Sequence, residues 1–271
     1  MIDTASYSSK GGRQENEDTA QVLEYDGALC AVVADGLGGH GGGRTASRTA
    51  VRCITEDFRI SPWPDEQQIH QMFVRANDQI LKQQTMSCRM KTTCAALFLK
   101  EGEAVWAHMG DTRLYHFVDG RLVSQTRDHS VSQMAVLSGE IKKEQIRFHV
   151  DRNRVLRALG TKGDIRPELS GVTLLRGGFH TFLLCTDGFW EYMLEDEMEI
   201  ELAKAETAGE LVENLCFRLE ENVKKQGKQQ QNDNYTICAV FYEADGREDG
   251  GLGTREEVAV DMQTVEMRKS L

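Results

Sequence analysis

The chain has 271 residues, with 32 lysines and arginines against 43 acidic residues and a formal net charge of −11. That balance argues against a general binder of nucleic acids or anionic membranes, because either partner requires a basic face. Hydrophobic residues at 40% and charged residues at 28% are near globular averages, which excludes wholesale disorder. Only three prolines occur and no linker separates two halves, so we expect one domain.

The first predicted elements are β-hairpins. Apolar, β-rich runs flank the Asp26-Gly27 pair, the KEGE stretch at 100–103 and the Asp119-Gly120 pair. Short loops that contain glycine between such runs are strong hairpin signals. Further strands are expected at 171–175, 180–186 and 235–242, whose residues are again mostly apolar or β-branched.

Helical periodicity appears in three segments, 44–58, 65–84 and 208–226. The second follows Pro64 and carries an apolar stripe formed by Ile69, Met72, Phe73, Ala76 and Ile80. Strands therefore come mostly in adjacent pairs, with long helices between groups of strands. This pattern predicts an α+β fold with antiparallel sheets, not the alternation of a doubly wound fold.

The two ends of the chain and its cysteines predict the location of the protein and the boundary of its domain. Residues 1–12 contain no apolar signal region, and no segment approaches the length of a membrane span, so we expect a cytoplasmic protein. Seven cysteines form no Cys-x-x-Cys pair, and an odd number in apolar runs indicates a reducing compartment. After residue 243 the sequence becomes polar and rich in glycine, so we interpret 244–271 as an appended tail on a domain of 1–243.

Asp-Gly pairs recur along the chain, and their contexts divide them. Asp26, Asp119 and Asp245 precede turns or a polar linker, where Asp-Gly is ordinary turn chemistry. Asp35 and Asp187 instead end continuous apolar runs, typical of buried strands, so their carboxylates are held at the rim of the core. A capping or turn role explains one such residue, but two together suit a divalent cation, which needs several fixed oxygen ligands.

Two more acidic groups flank predicted strands. Glu17 and Asp18 directly precede the first hairpin, and Asp233 directly precedes the last strand. Each of these side chains also suits a solvated or turn position. Acidic sites at several strand ends, far apart in sequence, nevertheless predict a metal cluster assembled from sheet edges.

The glycines after Asp35 offer a competing interpretation. Gly36, Gly38 and Gly41 satisfy G-x-G-x-x-G, and Glu56-Asp57 supplies an acid about 20 residues further on. In a dinucleotide site that acid ends a second parallel strand, whereas Glu56-Asp57 lies within a predicted helix. The strand before the loop is also the second arm of a hairpin, so we reject this interpretation. No G-x-x-x-x-G-K-[ST] motif is present.

The motifs of the chain, in order, resemble those of the metal-dependent serine/threonine protein phosphatases of type 2C, the PPM family, in their bacterial form. The resemblance covers roughly residues 5–242 and is carried by Arg13 with NEDT (16–19), VVADGLGGHGGG (32–43), KTTCAAL (91–97), HMGDTRLY (108–115), RDHSVSQ (127–133), SGEI (138–141), RNRVLRALG (152–160), LLCTDGFWE (183–191) and DNYTICAVF (233–241). It implies a four-layer α-β-β-α sandwich, in which two antiparallel sheets are flanked by helices and the site lies at one end.

The resemblance also implies a metal site. Asp35 would bridge two Mn²⁺ or Mg²⁺ ions, with the Gly36 carbonyl on one ion and Asp187 and Asp233 on the other. Glu17 and Asp18 would hold metal-bound waters, and Asp111 resembles the acid that helps to bind a third, weaker ion. A hydroxide shared by the two ions would then attack the phosphoryl group in line.

The catalytic candidates are Arg13, Asp18 and His40. Arg13 would clamp the phosphate, because a guanidinium matches it bidentately. Leu37 stands where some relatives carry a histidine proposed as the general acid, so the resemblance leaves that role unassigned. His40, in the glycine loop, could approach the substrate or protonate the leaving group. Glu191 replaces an aspartate common in relatives, and 127–157 resembles a flap beside the site.

We therefore expect a cytoplasmic, monomeric phosphatase that acts on phosphoserine and phosphothreonine in proteins and is paired with a cognate kinase. Two alternatives stay open at this point. One is a non-catalytic PPM-like domain that binds partners, and the other is a phosphatase for a small phosphorylated molecule.

Overall fold

The structure, a computed structural model, describes residues 1–38 and 41–244. Its strands, in chain order, are β1 (Ile2–Ser9), β2 (Thr19–Tyr25), β3 (Ala28–Ala34), β4 (Gly36–Leu37), β5 (Lys91–Thr92), β6 (Cys94–Lys100), β7 (Glu103–Met109), β8 (Arg113–Val118), β9 (Arg121–Gln125), β10 (Glu168–Leu169), β11 (Thr173–Leu174), β12 (Phe179–Cys185) and β13 (Tyr235–Glu243). The helices are α1 (Gly42–Ile60), α2 (Glu66–Gln83), α3 (Val131–Leu137), α4 (Asp187–Trp190), α5 (Glu195–Leu202) and α6 (Ala208–Lys225), with a 3-10 helix at Lys143–Phe148.

Two antiparallel sheets form the centre of the molecule. The first has the order β1-β13-β12-β8-β9, and the second has the order β10-β7-β6-β3-β2, with β11 also paired to β7. Helices α1 and α2 cover the outer face of the second sheet, while α5 and α6 pack on the side of the first. The expected α+β fold with four layers is confirmed. Within the described part of the chain, no helix is both long and apolar enough to cross a membrane.

The long apolar runs arise because both faces of the central strands are buried. In β3, Cys30 and Val32 face the helical layer, while Leu29, Ala31 and Val33 belong to the core between the sheets. In β12, Leu183 belongs to the helix-side core, and its neighbours Phe182 and Leu184 lie between the sheets. A strand with two buried faces needs apolar residues at every position, so its sequence loses the alternation of a half-exposed strand.

The three predicted hairpins are present, and their turns have the expected geometry. Asp26 and Gly27 have φ of 51° and 68°, and Asp119 and Gly120 have φ of 48° and 78°. Positive φ at both central residues is the requirement of a type I′ turn, which Asp-Gly meets with little strain. The pairings β2–β3, β6–β7 and β8–β9 follow from these turns.

The three predicted helices also form. Asp65 caps α2 reciprocally with Gln68, since its carboxylate accepts from the Gln68 amide at 2.7 Å and the Gln68 side chain accepts from the Asp65 amide at 2.9 Å. Such a capping box satisfies two backbone donors that would lack partners. All five residues of the predicted apolar stripe are buried.

Some elements differ from expectation. The sequence analysis predicts no strand at β1, and the strand expected at 171–175 is reduced to Thr173–Leu174. Of the predicted tail, only residue 244 lies within the described residues.

Candidate active site

A cavity of about 680 Å³ opens at one end of the sandwich. We call it the acidic cavity. Its lining contains most of the residues predicted from sequence, namely Arg13, Glu17, Asp35, Gly36, Asp111, Asp187 and Asp233. Asp18 is buried and adds its charge to that of Asp35. The structure therefore brings together every predicted site residue except His40, which lies outside the described residues.

Sheet topology explains why acids that are distant in sequence meet here. Asp35 follows the last residue of β3, and Glu17 and Asp18 precede β2, whose first residue pairs with the last residue of β3. Asp187 follows β12, whose end pairs with the start of β13 just after Asp233. In antiparallel pairs the end of one strand lies beside the start of its neighbour, so Asp35 lies near Glu17 and Asp18 in one sheet, and Asp187 lies near Asp233 in the other. The two sheets present these groups to the same cavity.

Two glycines allow the segments of the site to approach closely. A side chain at Gly36 would collide with the backbone of Gly43 and with the carbonyl of Glu17. One at Gly188 would collide with the carbonyl of Asn234, next to Asp233. The glycines of both Asp-Gly pairs are therefore required by packing, and they bring Asp35 near Glu17 and Asp187 near Asp233.

The carboxylates of the acidic cavity repel one another. Burial, followed by the charges of Asp187 and Asp18, raises the pKa of Asp35 well above its usual value. Burial is also the largest cause for Asp18 and Asp111, and it raises the pKa of each to about 7. Burial and the charge of Asp111 raise the pKa of Asp187 well above its usual value. Such shifts mean that the ionised forms lack compensating positive charge.

Two carboxylate oxygens of this cluster have no hydrogen-bond partner among the described residues. Oδ2 of Asp18 accepts from the hydroxyls of Thr186 and Thr236 at 2.9 and 2.7 Å, while its Oδ1 is buried without a partner. Oδ1 of Asp187 is likewise buried and unpartnered. Buried polar atoms normally have partners. An all-oxygen donor set with unpartnered, mutually repelling carboxylates fits a hard divalent cation.

Asn234 fixes the loop that carries Glu17, a role that the sequence analysis missed. Its side-chain oxygen accepts from the Glu17 amide at 2.8 Å, and its Nδ2 donates to the carbonyls of Lys10 and Glu15, both at 2.9 Å. Arg44 holds the same loop from α1, where its Nε donates to the Asn16 carbonyl at 3.0 Å. The sequence feature that could have indicated this role is the Asp233-Asn234 pair directly before the last strand.

A buried ion pair supports Asp111. Arg113 donates to both oxygens of Asp128 at 2.8 and 2.7 Å, and its guanidinium carbon lies 3.6 Å from the Trp190 ring centroid. The Trp190 indole in turn donates to the Asp111 carbonyl at 2.9 Å. His129 exchanges two hydrogen bonds with Gly110, directly before Asp111. Asp128 and His129 belong to the RDHSVSQ motif, but the sequence alone assigns a role to neither.

His129 also belongs to a second group, with His108 and Glu168, whose potential ligand atoms lie within 4.8 Å of one another. Ring nitrogens of both histidines in this group already take part in hydrogen bonds. His108 Nε2 donates to the Arg127 carbonyl at 2.8 Å, and His129 Nε2 lies 3.3 Å from a Glu168 oxygen. Burial lowers the pKa of both histidines, that of His129 to about 4. The group therefore supports the Gly110 turn and is separate from the acidic cluster.

Cations at the rim of the cavity pair with its acids. Arg13 donates to Asp233 at 2.6 Å, and its side chain is 58% exposed, which leaves it accessible from the cavity. Arg152, from the segment that resembles a flap, donates to Glu191 at 2.7 Å. Asn153 and Val155 of the same segment line the cavity. The flap-like segment is therefore in contact with the rim of the site.

Comparison with known proteins agrees with this geometry. The family model for protein phosphatase 2C matches residues 7–230. The serine/threonine phosphatase stp of Listeria welshimeri is 33% identical over 196 residues, which is 69% of this chain and 77% of the relative. The crystal structure of the Mycobacterium tuberculosis serine/threonine phosphatase PstP/Ppp matches with a TM-score of 0.77 and 27% identity, and the match covers 90% of this chain and 99% of that one.

A second solved structure is the catalytic domain of the serine/threonine protein phosphatase PstP in complex with two manganese ions. It matches with a TM-score of 0.73 and 25% identity, over 88% of this chain and 97% of that chain. The chain therefore belongs to the protein phosphatase 2C family. It is a protein serine/threonine phosphatase, so its substrates are phosphoproteins.

Proposed function

We propose that the acidic cavity hydrolyses phosphoserine and phosphothreonine with two Mn²⁺ or Mg²⁺ ions, held by Asp35, the Gly36 carbonyl, Asp187 and Asp233, with Glu17 and Asp18 completing the site. The observation that carries the proposal is the set of buried carboxylates with unpartnered oxygens. The two manganese ions in the related PstP domain support the same number of ions. Asp111 is our candidate for a third, weaker ion.

Divalent cations in such a site lower the pKa of water and neutralise the charge of a phosphoryl group. The residues of the chain then have separate tasks. Arg13, at the rim, binds the phosphate once a substrate competes with Asp233 for its guanidinium. Asp18, fixed through Oδ2, has Oδ1 available to accept a hydrogen bond from water. His40 is our candidate for donating the proton to the leaving group.

The proposal also covers the setting of the enzyme. We propose that 1–243 is the catalytic domain and 244–271 an appended tail. The enzyme would act as a cytoplasmic monomer opposite a serine/threonine kinase. All seven cysteines are free, which supports a reducing compartment.

The test uses two Asp-Gly pairs as a matched comparison. Asp35→Asn removes the proposed bridging carboxylate, while Asp26→Asn changes a hairpin tip where Asn-Gly is equally acceptable. With Mn²⁺, we expect wild type and Asp26→Asn to hydrolyse p-nitrophenyl phosphate and a phosphothreonine peptide. Asp35→Asn should lower kcat/KM by roughly 10²- to 10³-fold, the size expected for loss of one group that stabilises charge in the transition state.

EDTA should abolish the activity of wild type, and Mn²⁺ should restore it. Turnover that survives EDTA, or an Asp35→Asn variant as active as Asp26→Asn, would contradict the metal site. Faster hydrolysis of small phosphorylated metabolites than of phosphopeptides would contradict the assignment of phosphoproteins as the preferred substrates.

A further inference from the structure

A second concave region lies beside the acidic cavity and has the opposite charge. We call it the basic groove. Its volume is about 710 Å³, and its lining includes the cations Arg89, Lys91 and Lys162 together with Gln84 and Thr161. Among the described residues, no acidic side chain lines it. A groove lined by three cations and no acid stands out in a chain with a net charge of −11.

The three cations are available to a ligand. Each is exposed, and none forms an ion pair or side-chain hydrogen bond within residues 1–38 and 41–244. Some arginines elsewhere are committed to acidic partners, as Arg113 is to Asp128 and Arg152 to Glu191. The charge of the basic groove is therefore uncompensated by the protein.

The base of the groove is fixed by hydrogen bonds from α2 and from Gln84, the residue that follows it. The buried Asn77 accepts from the amides of Gly160 and Thr161 at 2.8 and 3.0 Å. Gln84 Nε2 donates to the carbonyls of Met90 and Gly160 at 2.7 and 2.8 Å. These bonds tie the segment that carries Lys162 to the segment that carries Arg89 and Lys91, so the three cations stand on a common backbone frame.

Both walls of the basic groove continue into the acidic cavity. In the ribbon formed by β4 and β5, Lys91 pairs directly with Leu37, which lines the acidic cavity. On the other side, Leu159 forms a β-bridge with Thr92, the neighbour of Lys91. The segment around Leu159 connects the two regions, because Val155 lines the acidic cavity and Thr161 lines the basic groove. An extended peptide advances about 3.3 Å per residue, so one bound in the cavity reaches the groove within a few residues.

We propose that the basic groove binds a segment of the phosphoprotein substrate that is rich in aspartate and glutamate and lies a few residues from the phosphorylated side chain. This inference rests on the proposed function and adds a specificity determinant to it. A protein of net charge −11 repels acidic substrates as a whole, and the groove supplies opposite charge beside the site. Rim charges of this kind act on encounter and partner choice more than on chemistry.

The test compares two variants that lose the same charges. The groove variant combines Arg89→Gln, Lys91→Gln and Lys162→Gln. The control variant combines Arg176→Gln, Lys225→Gln and Lys228→Gln, which removes one arginine and two lysines at exposed positions outside the groove. Substrates are p-nitrophenyl phosphate, a phosphothreonine peptide with neutral flanks, and two versions with four glutamates on its N-terminal or C-terminal side.

For wild type and the control variant, we expect at least one acidic peptide to exceed the neutral peptide about tenfold in kcat/KM at low salt. The groove variant should bring this ratio close to one and leave p-nitrophenyl phosphate hydrolysis within about twofold of wild type. High salt should shrink the wild-type ratio, because exposed charges are screened. A wild-type ratio near one, an unchanged ratio in the groove variant, or an equal loss in the control variant would overturn the inference.

A binding measurement separates this inference from the proposed function. In EDTA, a fluorescent peptide with the same glutamates but no phosphate should bind wild type several-fold more tightly than the groove variant, as measured by anisotropy. If wild type hydrolyses no phosphopeptide, the proposed function fails while this measurement still tests the groove. If hydrolysis is normal and both proteins bind the peptide equally, the groove inference alone fails.

Discussion

The acidic cavity and the Arg113–Asp128 pair both place charge inside the protein, but they differ in how that charge is compensated. Arg113 and Asp128 have side chains only 3% and 2% exposed, and each faces the other through two hydrogen bonds. In the acidic cavity, Asp35, Asp18 and Asp187 are each surrounded by further carboxylates. Matched buried charge holds the structure together, whereas unmatched buried charge of one sign suits the binding of a cation.

The largest expected effect comes from breaking the matched pair. Asp128→Asn leaves the Arg113 guanidinium buried with one partner charge removed, which typically lowers the free energy of unfolding by about 3–5 kcal/mol. The matched control is Asp164→Asn, because Asp164 pairs with Arg166 at 2.6 Å but both side chains are well exposed. That change should cost less than about 1 kcal/mol. Urea unfolding of both variants in EDTA measures the difference, and equal losses would show that burial of the pair is unimportant.

The next largest expected effect is a gain in the free energy of unfolding. Asp35→Asn removes a carboxylate whose pKa is raised, so its ionised form destabilises the fold at pH 8 in the absence of metal. We expect the variant to gain on the order of 1 kcal/mol in free energy of unfolding in EDTA, a typical size for a single substitution, because one of the mutually repelling carboxylates is removed. With Mn²⁺ the order should reverse, because the metal stabilises wild type more. A variant that is less stable than wild type in EDTA would show that Asp35 has a structural role like that of Asp128.

The sequence predicted the acids of the cavity because their signal is local. Asp35 and Asp187 each follow an apolar run, and an apolar run of strand length followed by Asp-Gly can be interpreted without knowing what packs against it. The hairpin turns were predictable for the same reason. Two residues determine each turn, and the chain shows positive φ at both residues of the Asp26-Gly27 and Asp119-Gly120 turns.

The supporting groups could not be predicted because their partners are distant in sequence. Asn234 binds the Glu17 amide across 217 positions, and Trp190 binds the Asp111 carbonyl across 79. Strand β1 was missed for a related reason. Its residues are polar and only partly buried, and it forms through pairing with β13 at the sheet edge, not through an apolar pattern of its own. Local pattern therefore located the site, and only the three-dimensional structure showed what holds it.

A pair of histidines, His116 and His180, is a third arrangement of buried titratable groups, and here the groups are neutral. His116 Nε2 lies 3.0 Å from His180 Nδ1, and His180 Nε2 lies 3.1 Å from the Gly177 carbonyl. Because the carbonyl only accepts, His180 Nε2 donates to it, and His180 Nδ1 must then accept from His116. His180 is therefore neutral in this arrangement. Burial, followed by the charge of His180, lowers the pKa of His116 to about 4.

The smallest expected effect is a pH dependence from this pair. The folded pKa of His116 is below its unfolded value of about 6.5, so the unfolded chain binds the proton more tightly. The stabilisation is complete above pH 6.5 and is lost as pH falls towards 4. His116→Gln keeps a donor for His180 Nδ1 but cannot titrate. Between pH 7 and 5, wild type should lose about 1 kcal/mol more free energy of unfolding than this variant, allowing for solvent screening. Urea unfolding at both pH values measures this difference, and parallel losses would mean that a neutral buried pair is as insensitive to pH as an apolar contact.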